Sequence, residues 1–158
     1  MNNEALKTLV AQGLAAMKAG GKTAAAATSE IQNDARNADL KSALEAGSSV
    51  SKQWAERIDQ ALQDAGGGGE QKNPVVEALY EVSKMIRQQA PDDMSRDLGI
   101  IANGQLALHY WIAAFGTMHA YMSKLGMDRA KAAMESCLKE AKEADEQHNG
   151  LAQRIMGA

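Results

Sequence analysis

"QLALHYWIAAFG", residues 105–116, sets His109, Tyr110 and Trp111 side by side in the middle of a long helical pattern. Around it Met94, Leu98, Ile101, Gln105, Leu108, Ile112, Phe115, His119 and Met122 recur at steps of three and four, which places them on one face of a helix. "APDDMSRD" caps this helix, and "KLGMDRA" ends it with a C-terminal glycine and starts another with aspartate. The centre of such a helix in a bundle is where metal-binding carboxylates project inward. Here Leu108 and Trp111 flank the histidine. The stretch therefore poses a choice between a catalytic helix and one whose centre is filled by packing.

The same periodicity runs outward in both directions. A first helix is expected from about Asn3 to Ala35, with Leu6, Val10, Gly13, Met17, Gly20, Ala24, Thr28 and Ile31 on its inner face. A second begins after a cap at Asn37 or Asp39 and carries Leu40, Leu44, Gly47, Ser51, Trp54, Ile58 and Ala61. "DAGGGGEQKNP" breaks it, because four consecutive glycines are not held helical. "PVVEALYEVSKMIRQQ" reads as a shorter helix with Pro74 in its first turn, where a missing N–H costs nothing. The last helix presents Ala130, Met134, Leu138, Ala141, Asp145, His148, Leu151 and Ile155. Two helical hairpins joined by a long connection make an all-α four-helix bundle of ferritin-like type, the short helix lying in the crossover, with residues 1–158 as one domain.

Composition supports packed helices. The chain has 158 residues, 45% hydrophobic but only 4% aromatic, with two prolines and a net charge of −3. Such a balance, with both signs interspersed, argues against a nucleic-acid surface. Cys137 is the single cysteine, which excludes an intramolecular disulfide and reads as a small packing residue. "MNNEALKTLV" lacks the basic start and apolar run of a signal peptide, and no run of about 18 uncharged apolar residues suggests a membrane span. The expectation is a soluble cytoplasmic protein.

"LALHYWIAAFGTMHAYMSKLGMDRA" resembles the YciF/YciE-like branch of the ferritin-like superfamily, which has a segment of the type E-H-Y-E-I-A-A-Y-G-T, a Leu-Gly turn and an E-K-x-A-D helix. "HY", "IAAFGT", "LG" and "EAKEAD" stand in matching places, and "ADLKSALEA" is similar to the family's P-E-L-K-A-A-F-E-E. The resemblance covers most of the chain after about residue 20. It implies a four-helix core with an added short helix, commonly a dimer, and carboxylates and histidine across the bundle centre for a dinuclear metal site. Carried over position by position, those ligands fall at Leu108 and Trp111, at Ala141, at Gly47 and Val50, and at Gly21 on the first helix. None of these side chains supplies the oxygen ligands that iron or manganese needs. The swaps suggest that bulky Trp111 and Leu108 fill the vacated space against small Gly21, Gly47, Ser48 and Ser51.

The residual polar residues carry two readings. In a hairpin turning near Gly126, residues whose numbers sum to about 253 lie level, so Leu108 meets Asp145 and Gln105 meets His148, with His109 on the flank. His109, Glu140, Asp145 and His148 could form a relocated metal site for iron or manganese. Alternatively His109–Asp145 and Gln105–His148 are internal hydrogen bonds that satisfy buried groups. His119 reads as a core or interface histidine, and Met118, Met122, Met127 and Met134 as adaptable core or subunit-interface residues. "AMKAGGKTAAAA" nearly matches a phosphate loop at Lys22 and Thr23, but Ala16 replaces the first glycine and no strand precedes it. Glu77 and Glu81 read as a solvated pair on the short helix.

The expected function is non-catalytic: a structural or binding protein with a degenerate dinuclear centre and no cofactor, stress-associated as the resemblance implies, whose partner is itself. Alanines 24–27 on the first helix and Tyr110, Met118 and Tyr121 on the long one are the faces expected to mediate that self-association. The alternative is a di-iron or di-manganese oxidoreductase with rearranged ligands. A phasin-like coat protein for granule or lipid surfaces is a third class, disfavoured by the regular core stripe.

Overall fold

The computed structural model describes residues 2–157. Its five helices are α1 (Asn3–Asp34), α2 (Ala38–Asp64), α3 (Pro74–Gln89), α4 (Asp93–Leu125) and α5 (Asp128–Met156). Short amide and carboxylate side chains start four of them. Asn2, Asn37, Asn73 and Asp92 accept from the backbone N–H of Glu4, Leu40, Val76 and Ser95 respectively, each satisfying an orphan donor. The α4–α5 turn uses Gly126 at φ 69°, a left-handed conformation that a side chain would strain.

Helices α1 and α2 form one hairpin, α4 and α5 the other; α1 packs on α2 and α4, and α5 packs on α2 and α4. The start of α4 is fastened to the α1–α2 turn. There the buried Asp97 accepts 2.8 Å hydrogen bonds from the backbone N–H of both Arg36 and Asn37. α2 and α4 therefore run parallel, and the connection between them must travel the length of the bundle. It does so alongside α1. Gly68 lies by Ala11 and Ala15, Asn73 by Ala16 and Gly20, and Arg87 by Glu30 and Asp34. This is the ferritin-like arrangement, with α3 in the crossover.

Local chemistry explains where α3 sits. Gly20 leaves room for Asn73 and Val76, so close that a Cβ there would fall 2.7 Å from Asn73 Nδ2. The Asn73 amide donates to the Ala16 carbonyl (2.9 Å) and to the Tyr110 hydroxyl (2.7 Å) while its oxygen caps α3. At the other end the buried Arg87 donates to Asp34 (2.6 Å) and Glu30 (3.3 Å).

Two apolar clusters fill the interior. The larger contains Val10, Leu14, Met17, Trp54, Ile58, Trp111, Phe115, Met122, Met134 and Cys137; the smaller, at the α1–α2 turn, contains Ile31, Leu40, Ile100, Ile101 and Leu151. The expected inner stripe of α1 is largely observed, Leu6, Val10, Met17, Gly20, Ala24 and Ile31 being buried. That of α4 is observed in part: Ile101, Phe115 and Met122 are buried as expected, together with Ile100, Ala107, Trp111 and Met118, whereas Leu98, Gln105, Leu108, Ile112 and His119 are half-buried and Met94 is exposed. The innermost side is rotated from the expected stripe because α4 is covered on three sides, by α1, α3 and α5.

Candidate functional site

Where the resemblance implies a dinuclear centre, the bundle holds aromatic rings. Trp111 stacks on Phe115, ring centres 5.5 Å apart, and Trp54 of α2 meets Phe115 edge-on at 5.1 Å and lies tilted to Trp111 at 6.1 Å. Tyr110 closes the group with its edge on Trp111 at 5.1 Å. Offset and edge-to-face pairs of this kind add to the stabilisation from burial alone.

The polar ends of this group converge on one carboxylate. Trp54 Nε1 and the Arg57 guanidinium both donate to Glu140, each at 2.7 Å. Arg57 lies one turn after Trp54 on α2, so a single helix face supplies both donors. The hydrogen bond to Glu140 raises the Arg57 pKa further above its usual range. Arg57 also reaches Cys137 Sγ at 3.7 Å, but burial dominates there and pushes the thiol pKa up, keeping it protonated and unreactive. Trp54 and Arg57 escaped the sequence reading as a pair. Their i, i+3 spacing was visible, but their partner on α5 was not.

The six positions carried over from the family divide. Trp111 and Ala141 are buried, and Leu108 and Val50 pack half-buried against the larger cluster. Gly47 is exposed and Gly21 half-buried, and a Cβ on either would meet nothing within 4 Å. Ser51 is exposed as well. The large-against-small repacking expected between Trp111 or Leu108 and these glycines is therefore corrected: the space beside Trp111 is filled by Trp54 and Phe115. Gly47 and Ser51 turn outward because α2 presents Leu40, Trp54, Ile58 and Ala61 to the core. These residues do not fit a dinuclear metal. Among the described residues no group of three or more His, Cys, Asp or Glu is placed to hold an ion.

The residual polar residues are spread along the α4–α5 seam. His109 Nε2 and Asp145 Oδ2 are 3.2 Å apart, as the hairpin level implies. The Gln105–His148 bond is corrected: Gln105 donates to Asn149 (2.6 Å), and His148 Nδ1 donates to its own helix at the Ala144 carbonyl (2.8 Å). The His148 ring instead lies over Gly104. Glu140 is occupied by Trp54 and Arg57 and takes no part. Asp145 Oδ1 is buried without a protein partner, a position suited to one internal water.

Other expectations are resolved by burial. Met118 is buried against Gly13 rather than displayed, while Tyr110 and Tyr121 are half-buried against the core, so the expected interface stripe on α4 is covered at Met118 and partly covered at the two tyrosines. Ala24 is buried and Ala27 packs on the smaller cluster, leaving Ala25 and Ala26 exposed. His119 is half-buried, Lys22 is exposed within a continuous α1, and Glu77 and Glu81 are exposed. The expectation about apolar runs is also corrected: α4 is long and apolar enough to cross a membrane by length and composition.

A family model described as a domain of unknown function, DUF892, matches residues 5–158. The chain belongs to the DUF892 family. Two solved structures share its fold. YcfI of Rhodopseudomonas palustris, described as a candidate structural protein, is 26% identical with a TM-score of 0.86, covering 91% of this chain and 92% of its own. The Escherichia coli stress protein YciF is 23% identical with a TM-score of 0.91, covering 96% of this chain and 97% of its own. No curated protein matches by sequence. The DUF892 fold is thus all-α and ferritin-like here, in keeping with the resemblance read from "IAAFGT" and "EAKEAD".

Proposed function

We propose that this chain is a non-catalytic, self-associating structural protein of the cytoplasm. In it an aromatic cluster and an Arg57–Glu140 pair hold the bundle centre that a dinuclear metal occupies in metal-binding ferritin-like proteins. Trp111 carries this reading: a buried indole stacked on Phe115 stands where the family pattern has a carboxylate. Two concavities among the described residues, one along Glu143, Glu146, Gly150 and Arg154 and one along Glu4, Thr8, Gln12 and Gly68, are open surface clefts rather than enclosed pockets with convergent polar groups. The description of YcfI as a candidate structural protein and of YciF as a stress protein supports the same reading and gives it a stress-associated setting.

The test is elemental analysis of the purified protein after dialysis against a mild chelator. Iron and manganese well below one ion per chain are expected, with no oxygen uptake when ferrous iron is added. Two ions retained per chain would overturn the proposal. They would favour the oxidoreductase reading, for which the unpartnered Asp145 Oδ1 beside His109 is the one supporting observation. In that case Asp145→Asn should abolish the bound metal.

A further inference from the structure

Both tryptophans of the chain lie in the aromatic group at the bundle centre, each 6% exposed. Packing alone asks nothing of their polar edges, yet one indole N–H is aimed at a charged oxygen. Trp54 Nε1 donates to Glu140 Oε2 at 2.7 Å, and Trp111 lies 6.1 Å from Trp54, ring centre to ring centre. Trp111 in turn meets Tyr110 at 5.1 Å. Three oxidisable rings therefore form one unbroken line across the bundle. It begins at the α2–α5 seam, where Glu140 is partly exposed, and ends beside the start of α3, where Asn73 donates to the Tyr110 hydroxyl. Phe115 packs against both indoles and fixes their spacing.

Indole and phenol rings can give up a single electron to a strong oxidant; the ring of Phe does not. An indole that loses an electron becomes a radical cation whose N–H is far more acidic than before, so it needs a base on that atom. Trp54 has one. Its N–H already points at an ionised carboxylate, which is exposed enough to pass the proton to water. A phenol loses its electron together with its O–H proton, and at neutral pH this is easier than oxidising an indole. At Tyr110 the Asn73 amide donates to the phenolic oxygen at 2.7 Å, which leaves the O–H to donate to solvent at this half-buried position. Electron tunnelling falls off exponentially with the gap between rings, so rings this close exchange an electron far faster than separated ones.

We infer that Trp54, Trp111 and Tyr110 form a relay that carries a one-electron oxidising equivalent across the core to the Tyr110 edge. The oxidant is an outer-sphere one-electron acceptor, of the carbonate-radical class, arriving at the α2–α5 seam. Trp54 gives it one electron and gives the Nε1 proton to Glu140. Trp111 then returns an electron to Trp54, which regains its proton from Glu140. Tyr110 gives an electron to Trp111 and its phenol proton to water. In sum one oxidant is reduced, one tyrosyl radical forms and one proton is released; a soluble thiol or ascorbate restores the tyrosine by giving it a hydrogen atom. Cys137, kept protonated by burial, offers no thiolate to intercept the charge. The relay goes beyond the structural role proposed above and does not require self-association.

Flash photolysis of tris(bipyridine)ruthenium(II) with a cobalt(III) quencher generates such an oxidant beside the full chain, and transient absorption times each radical. In the wild type an indolyl signal is expected to decay as a tyrosyl signal rises. Tyr110→Phe should prolong the indolyl radical severalfold and remove the linked tyrosyl rise. Trp54→Phe and Trp111→Phe, which keep a ring in the core, should each cut the tyrosyl yield severalfold. Glu140→Gln still accepts the indole N–H but cannot take its proton, so its first radical should be the cation rather than the neutral indolyl. Helical circular dichroism checks that each variant is folded, and Tyr110→Phe, which loses one hydroxyl, carries the test even where a tryptophan variant is not. An indolyl lifetime unchanged in Tyr110→Phe overturns the relay. So does a wild-type tyrosyl yield in both tryptophan variants, which would mean that outer tyrosines are oxidised directly. Either result leaves the structural role, tested by metal content, untouched.

Discussion

Replacing Trp111 with Ala tests whether the bundle centre is a packed core. The indole is 6% exposed and contacts the rings of Trp54, Phe115 and Tyr110. Burying an aromatic of this size removes about 200 Å² from water, worth about 5 kcal/mol at 25 cal/mol per Å². Lost ring pairs add to that, while partial collapse of the cavity and the retained Cβ subtract, which brings the expected cost to about 4 kcal/mol, within the range for large aromatics. With an unfolding entropy of about 2.1 cal/mol/K per residue, a chain of 158 residues should lose about 12 °C in Tm. Urea titration followed by circular dichroism, with Trp54 as a second, fluorescent probe, measures it. Trp111→Glu restores a carboxylate of the family type but should be at least as destabilised, and iron or manganese should not rescue it, since among the described residues no group of three or more His, Cys, Asp or Glu is placed to hold an ion and Glu140 is engaged by Trp54 and Arg57. A Trp111→Ala variant within about 1 kcal/mol of wild type, or a Trp111→Glu variant stabilised by manganese, would refute the packed centre.

Two further outcomes follow from polar contacts elsewhere. Asp97→Ala strands the backbone N–H groups of Arg36 and Asn37, and at about 1.5–3 kcal/mol per hydrogen bond to a charged group should cost about 3–6 kcal/mol in urea unfolding; a loss below 1 kcal/mol would show that the α1–α2 turn is held by packing alone. Acid should weaken the fold through Asp59 and Asp92, whose pKa values are lowered below 3.8, the first by its bond to Lys18 and the second by capping Ser95. A carboxylate lowered in the folded state contributes above its unfolded pKa and loses that contribution as pH falls through the folded value. Tm should therefore decline below about pH 4, and less steeply in Asp92→Ala; identical profiles for the two proteins would remove Asp92 from the account.

Much of this fold was legible in one dimension because helices are local objects. The cap at Asn37 or Asp39, the "APDDMSRD" cap, Pro74 in its first turn, the glycine break after Asp64 and the stop at Gly126 each act within about four residues, so they located all five helices. The same locality let the hairpin level bring His109 to Asp145. What no local signal carried was rotation. Periodicity assigned α4 a stripe through Leu108 and His119, but which of its apolar sides is innermost depends on how many neighbours it has, and α3 takes a third side that a four-helix pattern does not anticipate. For that reason Met118 went inward against expectation, and Gly47 went outward because Leu40, Trp54, Ile58 and Ala61 took the inner face of α2. The absence of carboxylates at Leu108, Trp111 and Ala141 could be read from residue identities alone, because a side chain without oxygen cannot bind a hard cation in any fold. That Trp54 and Arg57 would close on Glu140, more than eighty positions away, was decided only when α2 and α5 packed side by side. Tertiary packing likewise decided that only 33% of the most apolar 18-residue stretch of α4 would be buried, since a bundle covers a helix from its neighbours' directions and not from its composition.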